Sequence, residues 1–392
     1  MKVLFIIQGE GRGHLTQALT MQNILRNHGH EVVEALVGKS NARQLPKFFI
    51  QGMSVPIKQF ESPNFLPTAA NKRNNLPRSV AYNVLRLPYF AKSVLFLHRR
   101  IMESGADLVI NFYELLTGFT YLLFKPGVPQ VSIGHQYLFL HKDFTLPRSQ
   151  PVSLFLLRLF TRWTAMGATE RLALSFREME NDEKARIHVV PPLLRSEVRE
   201  LKPSTGNYLH GYMVNAGYGK SIMQWHQLHP ETPLNIFWDK KDAAETTHVD
   251  DTLTFHQLSD SAFLQSLAGS KGYATTAGFE SVCEAMYLGK PVMMVPAHIE
   301  QDCNAYDASL SGAGVIAKDF DLSLLNEFTA SFQPDKHFRD WADRCPQMIV
   351  SRIEYASKMS VNHRALLSAL LAWGMVKYYN SSFSHIINKA FR

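Results

Sequence analysis

The stretch Tyr273-Ala-Thr-Thr-Ala-Gly-Phe-Glu-Ser-Val-Cys-Glu-Ala-Met-Tyr-Leu-Gly-Lys-Pro-Val-Met-Met-Val-Pro296 reads as strand, tight turn, helix, stop and strand. Gly278 is expected to let the backbone turn sharply and to let a ligand approach it. A helix is predicted from about Phe279 to Leu288, terminated by Gly289 and Pro291. Its start presents unpaired N–H groups and the positive end of its dipole, which makes an anion site with Thr276, Gly278 and Ser281 around it. One turn inside stands Glu284, a carboxylate placed to meet a hydroxyl-rich group beside the anion. A phosphate next to a sugar presents that combination.

Working outward, the chain alternates strand and helix signals on both sides of this stretch. Val3–Ile7 is a continuous apolar run, as expected of a central parallel strand. A helix follows over Leu15–Asn27, then a strand over Glu31–Val37, with further strand candidates at 107–110, 130–133, 172–175 and 187–190. The rhythm pauses at 190–206, where prolines, a glycine and mixed charge mark a boundary, and restarts with strands at 208–215, 234–238, 252–256, 271–275, 291–295 and 314–317. The expected architecture is α/β, with two Rossmann-like doubly wound domains facing a cleft. They are placed at 1–198 and 207–335, with a C-terminal helical segment at 336–392. The 392 residues, 46% of them apolar, suffice for two cores.

Bulk properties narrow the setting. Three cysteines without paired spacing argue against a disulfide framework or a CxxC metal pair, so a reducing, cytoplasmic location is expected. There is no apolar run of membrane-spanning length, and the first strand is too short for a signal peptide. The net charge of +7 fits an anionic ligand or an anionic bilayer surface; no RRM, KH or zinc-finger pattern accompanies it, so nucleic acid is not an expected partner. Asn64–Arg100 interleaves Lys72, Arg73, Arg78, Arg86, Lys92, Arg99 and Arg100 with apolar residues, as a face lying peripherally on a membrane would. Buried helix faces with solvated charges give the same pattern.

Three more motifs carry chemistry. Gln8-Gly-Glu-Gly-Arg-Gly-His14 opens the first helix directly after the first strand. Gly11 and Gly13 permit close approach to a diphosphate, and His14 is a candidate general base. A helix-start histidine that merely caps backbone is the ordinary alternative. Asp107 and Glu114 are the candidates for orienting His14. Asn215-Ala-Gly-Tyr-Gly219 follows the first strand of the second half, and its Gly217 and Gly219 are diphosphate candidates. His298-Ile-Glu-Gln-Asp-Cys-Asn304 starts a helix at the C-terminal sheet edge, where Glu300 and Gln301 can accept from and donate to sugar hydroxyls.

Together these motifs resemble GT-B glycosyltransferases, in the branch of the UDP-glycosyltransferases and MurG. The specific match runs from about Gly272 to Ala305, with the Gly-Arg-Gly-His element as the N-terminal glycine loop. The resemblance implies that Gly278 and Ser281 hold the diphosphate of a nucleotide-sugar donor, UDP-linked in most of the branch. Thr276 stands where many members have histidine. By the same resemblance Glu284 holds the ribose hydroxyls, and Glu300 and Gln301 read the transferred sugar. The base packs near His256, Gln257 and Leu258, and His14 activates the acceptor hydroxyl. The retaining pattern of two glutamates separated by seven residues is broken by Thr276, which points to inversion. No metal or other cofactor is required by this scheme. The acceptor it implies is a small molecule or a lipid-linked glycan. A nucleotide-sugar 2-epimerase and a non-catalytic partner of another transferase share the architecture and are the alternatives.

Overall fold

The computed structural model describes residues 1–40, 44–63, 82–213, 216–240 and 243–359. Asn215, the basic residues Lys72, Arg73 and Arg78, and the segment 360–392 lie outside these.

The first sheet contains β1 (Lys2–Gln8), β2 (Glu31–Lys39), β3 (Ile57–Glu61), β4 (Leu108–Phe112), β5 (Gln130–Ile133), β6 (Glu170–Leu174) and β7 (Ile187–Val190). Their order is β3-β2-β1-β4-β5-β6-β7, and every pairing is parallel. β1 is central, and Val3 to Ile7 are fully buried because both faces of a parallel sheet carry helices. The second sheet contains β8 (Leu209–Met213), β9 (Leu234–Trp238), β10 (Thr246–His248), β11 (Leu253–Gln257), β12 (Gly272–Thr275), β13 (Val292–Met294) and β14 (Gly314–Ile316). Its order is β10-β11-β9-β8-β12-β13-β14, parallel except at the β10 edge. This is the GT-B arrangement of two doubly wound sheets.

Both sheets reverse their strand order at one place, between β1 and β4 in the first and between β8 and β12 in the second. Chain leaving the carboxyl ends of such neighbours parts to opposite faces and opens a crevice. His14 follows β1, Tyr113 follows β4, and the turn at 276–278 follows β12, so the sequence motifs sit at the two crevices. β3 and β10 escape a reading of apolar periodicity because both are short sheet-edge strands, β3 mostly and β10 wholly polar.

The chain crosses between sheets from Val190 to Leu209, and the two halves share packed surface. Phe279, opening the helix Phe279–Tyr287, stacks on His135 at 4.1 Å between centroids with planes 18° apart, and meets Phe176 at 4.7 Å. The helices Lys336–Asp343 and Cys345–Ser357 return to the first sheet. There the Trp341 indole N–H donates to the Ser175 carbonyl at 3.0 Å, and Arg352 pairs with Glu170. No described helix is long and apolar enough to cross a membrane.

Candidate active site

The turn before Phe279 has a conformation the sequence does not announce. Gly278 is extended, with φ −67° and ψ 131°. Ala277 takes the left-handed conformation, with φ 62°. A non-glycine residue there carries strain of the kind that a surrounding site must hold in place. Ala277 is fully buried, and the Asn304 amide donates to its carbonyl at 3.2 Å. The sharp turn is therefore at Ala277 rather than Gly278. A side chain at Gly278 would meet only Ser281 Oγ at 3.6 Å, which leaves the helix start open to a ligand. The Thr276 hydroxyl is buried, with no hydrogen-bond partner among the described residues. Ser281 Oγ donates back to the Gly278 carbonyl at 3.2 Å.

Across the cleft, His14 occupies the first turn of the helix Arg12–Asn27, for which Gly11 is the N-cap. Its ring stacks on Tyr113, centroids 5.6 Å apart and planes at 25°, and its Nδ1 lies 3.3 Å from Gln17 Oε1. Burial lowers the His14 pKa below its ordinary value, against the raising pull of Glu300 and of the Gln17 hydrogen bond. The imidazole is thus neutral at neutral pH, as a base must be. Tyr113 also has a left-handed backbone, φ 61°, and its hydroxyl bonds Thr161 Oγ1 at 2.7 Å.

The charge that His14 senses comes from the second half. Glu300 Oε1 accepts from Gln136 Nε2, a residue of the first half, at 3.0 Å. Gln301 is buried and its Oε1 accepts from the Ala297 N–H at 2.9 Å, closing the helix start. Gly13 faces the helix Phe279–Tyr287 so closely that a methyl group there would run into the Glu280 carboxylate. Glu280 also accepts from Gln17 Nε2.

Glu284 is buried, 2% exposed, and its Oε1 accepts from Arg195 Nε at 2.7 Å. Arg195 reaches Asp260 at 3.3 Å, and Asp260 in turn lies 3.5 Å from Arg12. Asp260 therefore joins two arginines, Arg12 of the glycine loop and Arg195 of the chain between the sheets. Neither is visible in a local motif as a site residue, although Arg12 stands inside the glycine loop itself.

Other expected residues are placed differently. Asp107 does not orient His14. It precedes β4, at the amino end of the strands, and accepts from the Lys2 N–H at 2.7 Å, whereas His14 follows the carboxyl end of β1. Glu114 is at the carboxyl end, but it caps the helix Leu115–Phe124. It accepts from the Leu116 N–H at 3.0 Å and from Ser62 Oγ at 2.7 Å. The group facing His14 Nδ1 is the Gln17 amide, one helical turn on. At Gly219 a Cβ would meet the Trp238 ring at 3.1 Å, a close packing contact. Gly217 lies at the adjoining turn, Ala216–Tyr218. His256 stacks on Phe237, Gln257 donates to the Ala243 carbonyl at 3.1 Å, and Leu258 packs against the core. Among the described residues no group of three or more His, Cys, Asp or Glu is arranged to hold a metal.

Glu114 gives a pH prediction. Burial pushes its pKa from 4.5 up to about 7. The folded chain then binds a proton that the unfolded chain has released, so stability falls as pH rises from 4.5 through 7 and stays lowered above it. Glu114→Gln keeps an oxygen for Ser62 and Leu116 and removes this loss, about 3 kcal/mol at alkaline pH. Thermal melts at about pH 5 and about pH 8 should show a smaller drop in the variant. An unchanged drop removes Glu114 as its source.

Residues 1–332 match the sequence model of glycosyl transferase family 1. The chain belongs to that family and is a GT-B glycosyltransferase. Among solved structures it is similar to the spinosyn forosaminyltransferase SpnP, at 14% identity and a TM-score of 0.58, covering 92% of this chain and 100% of that one. Medicago truncatula UGT71G1 complexed with UDP-glucose is similar at 13% identity and a TM-score of 0.58, over 91% and 98% of the two chains. Arabidopsis thaliana UGT89C1 complexed with quercetin is similar at 14% identity and a TM-score of 0.54, over 94% and 98%. No curated protein matches the chain by sequence.

Proposed function

We propose that the cleft transfers a sugar, with inversion, from a nucleotide-diphosphate sugar to an acceptor hydroxyl. The observation that carries this is the contact of Gly13 and Gln17, on either side of His14 in the first crevice, with Glu280 in the first turn of the helix that follows Gly278 in the second. His14 Nε2 takes the acceptor proton, the freed oxygen attacks the anomeric carbon, and the bond from that carbon to the diphosphate breaks with its electron pair leaving on phosphate. The developing charge falls on the helix-start N–H groups with the Thr276 and Ser281 hydroxyls beside them. Glu284, held by Arg195, receives the ribose hydroxyls, and Glu300 with Gln301 receives the sugar.

A UDP-linked donor and a small-molecule acceptor are the simplest assignments, given relatives solved with UDP-glucose and with quercetin. A lipid-linked acceptor met at an anionic bilayer is the second reading. It is favoured by Leu85, Leu87, Tyr89 and Leu95, all at least half exposed beside Arg86, Lys92 and Arg99.

Calorimetry with UDP, GDP and TDP sugars tests the donor. Saturable binding of at least one, followed by transfer giving the opposite anomer, is the expected result. Retention of configuration overturns inversion, an epimerised donor without acceptor points to an epimerase, and absence of all binding removes the reading.

A further inference from the structure

The family resemblance leads one to look for an acid behind the catalytic histidine on its own half of the chain, and neither Asp107 nor Glu114 serves. What stands there is an amide, and behind the amide is an acid from the other half. Gln17 is 1% exposed and lies three residues after His14 on the same helix face, where side chains meet. Its Oε1 is 3.3 Å from His14 Nδ1, and its Nε2 donates to Glu280 Oε1. Glu280 belongs to the first turn of the helix Phe279–Tyr287.

We propose that Glu280, acting through Gln17, fixes the tautomer and aim of His14, so that both are positioning residues for the base. An ionised carboxylate can only accept, which turns the Gln17 NH₂ toward Glu280 and its oxygen toward the ring. An oxygen facing Nδ1 requires a proton on Nδ1, and the lone pair of a neutral imidazole is then on Nε2. Nε2 has no hydrogen-bond partner among the described residues. Tyr113 holds the ring face, so two contacts define its plane and its rotation. Because Gln17 and Glu280 come from opposite halves, His14 is set for catalysis only when the two halves are closed on each other. Gly13 belongs to the same contact, since a side chain there would displace the Glu280 carboxylate.

The inference rests on His14 being the base, but its first readout does not. Long-range nitrogen–proton NMR of the full chain reports the His14 tautomer directly. It is recorded on the alkaline side of Glu280, whose pKa burial pushes up to about 7. The wild type should show Nδ1–H with Nε2 bare. Gln17→Ala should give a mixture and lower kcat roughly 10- to 100-fold, with donor affinity by calorimetry unchanged. The double variant Gln17→Glu with Glu280→Gln reverses the amide and the acid while keeping both hydrogen bonds, and should restore the tautomer and much of kcat. A wild-type Nε2–H tautomer, or a tautomer indifferent to Gln17→Ala and to Glu280→Gln, overturns the positioning role. A tautomer that shifts as expected while kcat does not move keeps the hydrogen-bond chain and overturns His14 as the base.

Discussion

Replacing His14 by alanine should lower kcat by roughly 10³-fold and leave donor affinity unchanged. The proposed transfer takes its base from this ring, at the carboxyl end of β1 and at the crevice between β1 and β4. Burial keeps it neutral, and Glu300 pulls its pKa back upward, which limits the loss of basicity. Its removal leaves the donor-side helix start, Thr276, Ser281 and Glu284 intact, since they belong to the other half. The expected signature is therefore a fall in kcat with calorimetric donor binding preserved. A half-buried histidine that only packs on Tyr113 would behave otherwise: the change would shift melting and spare turnover. Transfer surviving above about a tenth of wild type would be too fast for a lost general base.

Arg195→Ala carries the largest expected loss of stability. The guanidinium is mostly buried, and burial alone would disfavour its charge. Glu284, Asp260 and Glu197 outweigh that and hold its pKa above the ordinary arginine value. Glu284, with its side chain 3% exposed, depends on this partner because Glu280 is a second carboxylate close by. Breaking one side of such a pair strands a buried charge and costs about 3 kcal/mol or more. With two packed halves the melt need not be two-state, so the quantity to compare is the first thermal transition. Arg195→Met combined with Glu284→Gln removes both charges and should recover most of the loss. Donor affinity should fall in both, because Glu284 is either displaced or neutralised. A transition unmoved by Arg195→Ala would show that the ion pair contributes nothing to the fold.

The strands of both sheets were legible because parallel strands buried on both faces are mostly apolar runs, and Val3–Ile7 shows it plainly. The edge strands β3 and β10 were not, since an edge has one exposed side and a short, mixed pattern. The helix after Gly278 was legible from its glycine and proline stops. The residue carrying the left-handed turn was not, because Ala277 has no intrinsic preference for that conformation and is held there by its burial and by Asn304.

The same division runs through the site. Sequence by itself determined the two βα repeats, the glycine loop ending in His14, the helix start after Gly278 and the Glu300-Gln301 pair opening the next helix, since each is a local pattern of backbone freedom and side-chain type. Only the tertiary structure decided what faces what. It set Asp107 at the far end of the strands, made Glu114 a helix cap, and joined Gln17 to Glu280 and Arg195 to Glu284 across hundreds or dozens of intervening residues. Those pairings depend on how two sheets close on one another, and no spacing along a single chain encodes that distance.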